Sequence, residues 1–127
     1  MGKRIHLAFI LFFIEAIFCN AQTDLPPSDK PWTKTELGSY RIERVWVEYD
    51  TTYALVSYRN TTEQTFKSKV SIKVFLYDKE KNMLDTNSRS FFAFERGPIT
   101  PGFEDTVKVP VTGVTNSVYI QVRLEAN

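Results

Sequence analysis

Cysteine and histidine are almost absent from this 127-residue sequence. The single cysteine is Cys19 and the single histidine is His6. If residues 1–21 are removed as a leader, the remaining chain has neither a thiol nor an imidazole. That chain could form no intrachain disulfide, no zinc site built on Cys or His, and no Cys-His or Ser-His-Asp catalytic centre. The sequence therefore predicts a protein that is not an enzyme, binds no metal and carries no cofactor.

Long apolar runs are also scarce, and the clearest one lies near the start of the chain. It extends from Leu7 to Ile14, follows two basic residues, and precedes the small residues of Cys19-Asn20-Ala21. This order is typical of a secretory signal peptide. The run is shorter than the stretch of about 20 apolar residues that spans a bilayer. We predict a signal peptide over residues 1–21, cleavage after Ala21, and a secreted or periplasmic protein.

Cys19 allows an alternative, in which it is the lipid-acceptor cysteine of a bacterial lipoprotein. The residue before it is Phe18, whereas such a cysteine normally follows a small residue. Cleavage after Ala21 is therefore favoured. A lipoprotein anchored to the membrane through Cys19 stays open as the alternative.

The chain has no excess of charge of either sign. It contains 16 basic and 15 acidic residues, and the loss of Lys3, Arg4 and Glu15 with the leader leaves 14 of each. Nucleic acids and anionic membranes attract proteins with a basic field. A neutral chain of this kind predicts no nucleic-acid partner, and membrane attachment only if Cys19 is lipidated.

Proline is concentrated in one segment. Residues 22–39 include Pro26, Pro27 and Pro31, and they show no periodic apolar pattern. Proline favours extended backbone and removes a hydrogen-bond donor, so this segment is predicted to be a linker. Trp32 is its one large aromatic residue, and we expect it to pack on the domain that follows.

From Tyr40 onward, short alternating runs rich in β-branched and aromatic residues are separated by turn residues. Such runs predict strands, and no apolar pattern with a helical period continues for three turns. The domain 40–127 is therefore predicted to be an all-β, antiparallel β-sandwich of about six to seven strands. The predicted strands are 39–50, 53–60, 69–78, 88–95, 104–111 and 117–125, with a short seventh at 83–85.

Three segments resemble the FxLYD domain family. "VFLYD" (74–78) resembles its signature, "ALVSYRNTTEQTF" (54–66) resembles its strand followed by a polar turn, and "ITPGFEDTVKV" (99–109) resembles its Pro-Gly turn into a later strand. The resemblance covers residue 54 to about residue 111. It implies an immunoglobulin-like β-sandwich of bacterial secreted or envelope proteins, and it implies no catalytic residues.

Acidic residues offer the remaining chemical candidates. Oxygen ligands alternate from Asp78 to Asp85 as they do at the start of a calcium loop, but Met83 stands where such a loop needs glycine and Arg89 stands where it needs glutamate. A solvated hairpin is favoured. A pair of carboxylates acting as in glycosidases is the least favoured reading, because a domain this small seldom builds a deep cleft.

Outward-facing aromatic residues suggest a surface for a partner. Alternation along 69–78 places Val74 and Leu76 inside and Phe75 and Tyr77 outside. A short loop at 79–81 would place Leu84 opposite Leu76 inside and Met83 opposite Tyr77 outside. In "SFFAF" (90–94), Phe92 and Phe94 share one face and are expected in the core, while Phe91 lies on the other face. Phe75, Tyr77, Met83 and Phe91 are thus predicted as a possible partner-binding patch, unless other parts of the chain cover them.

The leading hypothesis is a secreted or periplasmic, non-enzymatic module whose partner is another envelope or secreted protein. The alternative is a small-molecule or carbohydrate-binding protein. A pocket lined by converging polar groups would favour the alternative, whereas a flat patch or a free sheet edge would favour the protein-binding module.

Overall fold

Two antiparallel sheets face each other in the computed structural model, which describes residues 15–16 and 31–126. The predicted leader and linker lie largely outside the described residues. The strands are β1 (Glu15–Ala16), β2 (Thr33–Thr35), β3 (Gly38–Glu48), β4 (Thr51–Arg59), β5 (Lys69–Tyr77), β6 (Met83–Phe92), β7 (Glu104–Thr112) and β8 (Tyr119–Ala126), and a one-turn helix α1 (Ala93–Arg96) follows β6.

The strand order is that of an immunoglobulin-like sandwich, as predicted. One sheet has the order β1-β8-β5-β6 and the other has the order β2-β3-β4-β7. The group β3-β4-β7 corresponds to strands A, B and E of an immunoglobulin domain, and β6-β5-β8 corresponds to C′, C and F. The two central strands, β4 and β5, are therefore paired on both sides.

Alternation along β5 explains how the first sheet buries one face. Val70, Ile72, Val74 and Leu76 are fully buried, while the side chains between them lie on the opposite face. Their counterparts on β4 include Val56 and Tyr58, and the two rows form one hydrophobic core. Burial of each such aliphatic side chain contributes about 1.5–3 kcal/mol to the stability of the fold.

Three aromatic rings fill one end of the core. The ring of Tyr58 lies 6.0 Å from that of Phe91 and 6.3 Å from that of Phe103, and the last two lie 5.6 Å apart. The Tyr58 hydroxyl donates a 2.7 Å hydrogen bond to the carbonyl of Leu37. Burial raises the pKa of Tyr58 to about 12. The hydroxyl therefore remains a donor at all physiological pH values.

Asn60 closes the turn after β4 with its side chain, which agrees with the turn predicted from its composition. Its amide nitrogen donates to the carbonyls of Gln64 and Ile99 at 2.9 and 3.0 Å. Its amide oxygen accepts from the backbone and the hydroxyl of Thr62 at 3.0 and 2.7 Å. A buried polar side chain costs little when every donor and acceptor is satisfied in this way.

Two boundaries differ from the sequence prediction. The second sheet begins at Thr33, inside the predicted linker 22–39, because β2 and β3 form a tight hairpin closed by Gly38 at φ 129°. A side chain at Gly38 would lie 2.7 Å from the carbonyl oxygen of Arg59, so only glycine fits there. The predicted strands 83–85 and 88–95 are one strand, β6, which ends at Phe92 where α1 begins.

The β5–β6 hairpin differs in register from the prediction. Tyr77 is paired with Met83 as expected, but a register shift after Leu76 places Asp85, and not Leu84, opposite Leu76. The Asp78 carboxylate caps the turn by accepting from the backbone N–H groups of Glu80 and Asn82, each at 2.9 Å. Leu84 is consequently 36% exposed and lies outside the core.

Two leucines of this hairpin provide a matched test of the core. We expect Leu76→Ala to lower the free energy of unfolding by about 2–5 kcal/mol, because it opens a cavity under a fully buried site. The same substitution at Leu84 should cost less than about 1 kcal/mol. Urea denaturation monitored by circular dichroism measures both. Equal losses at the two positions would contradict the assignment of the two faces.

Candidate interaction surfaces

The predicted patch is only partly assembled on the surface. Phe91 was expected to face outward, and this is wrong, because Phe91 is paired with the core residue Val70 and is 1% exposed. Its ring packs against Tyr58 and Phe103. Phe92 and Phe94, expected to form the buried pair, lie instead half-buried and exposed. By alternation alone, either Phe91 or the pair Phe92 and Phe94 could face the core. The pairing of β6 with β5 determines that Phe91 does so.

The other three members of the predicted patch share the outer face of the first sheet. Tyr77 is only 9% exposed, and its hydroxyl donates a 2.6 Å hydrogen bond to Oε1 of Gln121. Burial raises the pKa of Tyr77, and the positive charge of Arg123 partly offsets this. Tyr77 faces outward as predicted, but it is covered and bonded within the domain.

Phe75 and Met83 are less enclosed. The Phe75 ring lies beneath two cations, with Nζ of Lys73 at 5.5 Å and Cζ of Arg123 at 4.9 Å from its centroid. Met83 is 55% exposed at the start of β6. The structure therefore brings Phe75, Tyr77 and Met83 to one face, of which Met83 is the exposed member. Partner binding by this face stays a prediction.

A four-layer stack of side chains on the outer face of the second sheet was not predicted. Trp46 and Tyr53 are register partners on β3 and β4, and their rings stack at 5.3 Å with an interplanar angle of 21°. The guanidinium of Arg44 lies 4.5 Å from the Trp46 ring, and Nζ of Lys108 lies 5.1 Å from the Tyr53 ring. Alternation in "RVWV" (44–47) could have shown that Trp46 faces outward. Each ring contacts the other ring and a cation, so this arrangement does not favour stacking of a sugar ring.

Trp32 packs on the domain, as predicted. Its ring contacts two guanidinium groups, with Cζ of Arg41 at 4.4 Å and Cζ of Arg59 at 4.3 Å from its centroid. Arg41 is also paired with Glu43 at 2.7 Å and Arg59 with Glu104 at 3.0 Å. The aromatic residue before β2 is thus held by cation–π contacts and helps to fix the start of the second sheet.

Three of the four principal outer strands carry features that disfavour strand addition. In β3, the ladder shifts register between Ile42 and Arg44, and a bulge of this kind twists an edge away from partners. β7 contains Pro110, which cannot donate to a ladder. On β6, Asp85 and Arg89 stand opposite core residues of β5 and are exposed. Charged residues at core-facing positions are a common protection of edge strands.

β8 is the exception among these strands. Its ladder with β5 runs without a register shift from Tyr119 to Ala126, and it contains neither proline nor glycine. Its core-facing residues Ile120, Val122 and Leu124 are all buried and apolar. The strand is therefore regular, long and free of core-facing charge, which are the properties of an edge that accepts another strand.

The far side of β8 is the place at which an immunoglobulin sheet has its strand G, and we call it the G position. In the described part of the chain, the G position holds β1, which is paired with β8 antiparallel through Glu15 with Ile120 and Ala16 with Tyr119. From Val122 to Ala126, no strand of the described residues occupies it. The residues that do occupy it belong to the predicted signal peptide.

Comparisons with known proteins support the fold. No protein-family model matches the sequence, and no curated protein matches it either. A solved structure of similar fold is the Salmonella enterica trimeric lipoprotein SadB, with a TM-score of 0.53 and 13% sequence identity. The match covers 97% of this chain and 66% of that protein, so the chain spans less than the whole of its neighbour. At this identity the likeness shows a shared β-rich fold, and the FxLYD resemblance stays a prediction.

The described segments hold one helix, α1, and none that could cross a bilayer.

Two residues of the predicted patch should respond differently to the same substitution. Tyr77→Ser removes a buried ring and its hydrogen bond to Gln121, so we expect a loss of about 3 kcal/mol in the free energy of unfolding. Met83→Ser, on the same face, should cost about 0.5 kcal/mol. Chemical denaturation of both variants checks this. If Tyr77→Ser were as stable as Met83→Ser, Tyr77 would have to be regarded as a surface residue.

Proposed function

We propose that this protein is a secreted or periplasmic, non-enzymatic binding module that engages a partner protein by adding a strand at β8. The observation that carries the proposal is the regular edge of β8 at the G position. Strand addition uses main-chain hydrogen bonds for affinity and alternate side chains for specificity. The partner would be another envelope or secreted protein.

Removal of the predicted leader supports this proposal. β1 is paired with β8 only at Tyr119 and Ile120, and cleavage after Ala21 would remove it. The N–H and C=O groups along that side of β8 would then form an unpaired sheet edge, which is a template for another strand. A strand from another protein could pair with it over the length of β8.

The envelope location rests on sequence and fold together. The leader predicts export, the FxLYD resemblance favours a bacterial envelope or secreted protein, and SadB is itself a lipoprotein by name. Anchoring through Cys19 remains the alternative to release after Ala21. Either form would present β8 to the same compartment.

Carbohydrate binding has less support. Among the described residues, the stacked Trp46 and Tyr53 rings come nearest to a surface on which a sugar ring could stack. Arg44 and Lys108, however, lie over these rings. Small-molecule sites are concave and lined mostly by apolar and aromatic side chains with a few polar groups. We therefore place the interaction at the β8 edge.

Site-specific photocrosslinking within intact cells tests the proposal. A photoreactive phenylalanine analogue would replace Tyr119 on β8, Tyr49 at the exposed tip of the β3–β4 turn, or Met83 in the predicted patch. Tyr49 is 94% exposed and is the matched control, since both substitutions exchange a tyrosine for a similar aromatic residue. We expect a protein adduct from position 119 and none from position 49.

An adduct from position 83 and not from position 119 would move the interface to the Phe75, Tyr77 and Met83 face. Absence of any protein adduct from positions 119 and 83 would contradict a binding function through the β8 edge and through the Phe75, Tyr77 and Met83 face.

A further inference from the structure

We infer that the strand which fills the G position is β8 of a second copy of this chain, so that the exported protein forms a twofold symmetric dimer. This inference rests on the proposed function, because it names the partner that the β8 edge engages. Two β8 strands would run antiparallel across the symmetry axis. The first sheets of the two copies would then join as β6-β5-β8-β8-β5-β6.

The sequence of β8 is complementary to itself in one register. When Val122 lies opposite Val122 of the second copy, Ile120 lies opposite Leu124, and Tyr119 lies opposite Glu125. Paired residues point to the same face, so the apolar core-facing residues of both copies stay on one side. The strand from Tyr119 to Glu125 is used in full, and no two like charges face each other.

Neighbouring registers are less favourable. A shift that centres the pairing on Arg123 places two arginines directly opposite each other, which destabilises a ladder. A shift to Leu124 leaves Tyr119, Ile120 and Gln121 beyond the end of the described partner strand. Of the registers centred on Val122, Arg123 and Leu124, the one centred on Val122 is therefore the most favourable for a closed twofold interface.

The intact leader would oppose the dimer. β1 takes the places opposite Tyr119 and Ile120, which the register assigns to Glu125 and Leu124 of the second copy. Self-association would therefore begin only after cleavage, when export is complete. Pairing with β1 thus covers the edge of β8 in the precursor, and cleavage of the leader exposes this edge in the mature protein.

Sedimentation equilibrium of the protein exported from its full-length precursor tests the inference. We expect a monomer–dimer equilibrium. Tyr119→Glu should raise the dissociation constant of the dimer about tenfold. The new carboxylate would face Glu125 of the second copy, and the twofold symmetry creates two such like-charge pairs. The double variant Tyr119→Glu with Glu125→Lys should restore the affinity. Tyr49→Glu adds the same charge at the distant turn and should leave it unchanged. Circular dichroism confirms that each variant is folded.

A strictly monomeric protein, or a trimer, overturns the dimer. A dimer that Tyr119→Glu and Tyr49→Glu weaken equally overturns the β8 interface. If the protein is monomeric while position 119 still crosslinks to a different protein, the second-copy inference fails and the proposed function stands. If position 119 forms no adduct and the protein is monomeric, both fail.

Discussion

Hydrogen bonding at the edges of two facing sheets is the constraint on which the rest of this structure depends. The central strands β4 and β5 are paired on both sides, so their backbone groups are satisfied within the domain. Outer strands have one side to protect, and each does so differently. β3 has a bulge, β7 has Pro110 and β6 has core-facing charges, and each of these features disfavours the addition of another strand. β8 lacks these features, and this contrast leads from the fold to a function.

The core and the surface contribute to that arrangement in separate ways. Fully buried aliphatic residues on β5 hold the sheets together without disulfide bonds among the described residues. Aromatic and cationic residues on the outer face of the second sheet, such as Trp46 and Arg44, pack on one another and cover that face. Trp32 fastens the segment before β2 to the same face. Because that face is covered, we place the proposed interaction at a sheet edge.

The local sequence pattern was sufficient to predict the fold class. It was insufficient to predict, for several segments, which side chains face the core. The alternation in β5 identified Val74 and Leu76 as core residues, because one phase of that strand is wholly apolar while the other begins with Lys69, Ser71 and Lys73. In "SFFAF" (90–94) both phases are apolar, so sequence alone could not show that Phe91 is buried. Its orientation depends on the register with β5 and on the shift after Leu76. The role of β8 depends on which strands are neighbours, and this is decided by contacts distant in sequence.

The central claim is that the G position beside β8 is filled by a strand from outside the mature domain. Amide hydrogen exchange along β8 of the exported protein, measured over a range of protein concentrations, tests it most directly. We expect the β8 amides that do not bond to β5 to exchange rapidly at low concentration and slowly at high concentration. Slow exchange at every concentration would mean that the chain itself closes this edge. Rapid exchange at every concentration, both in the purified protein and in its cellular complexes, would mean that no strand is added there.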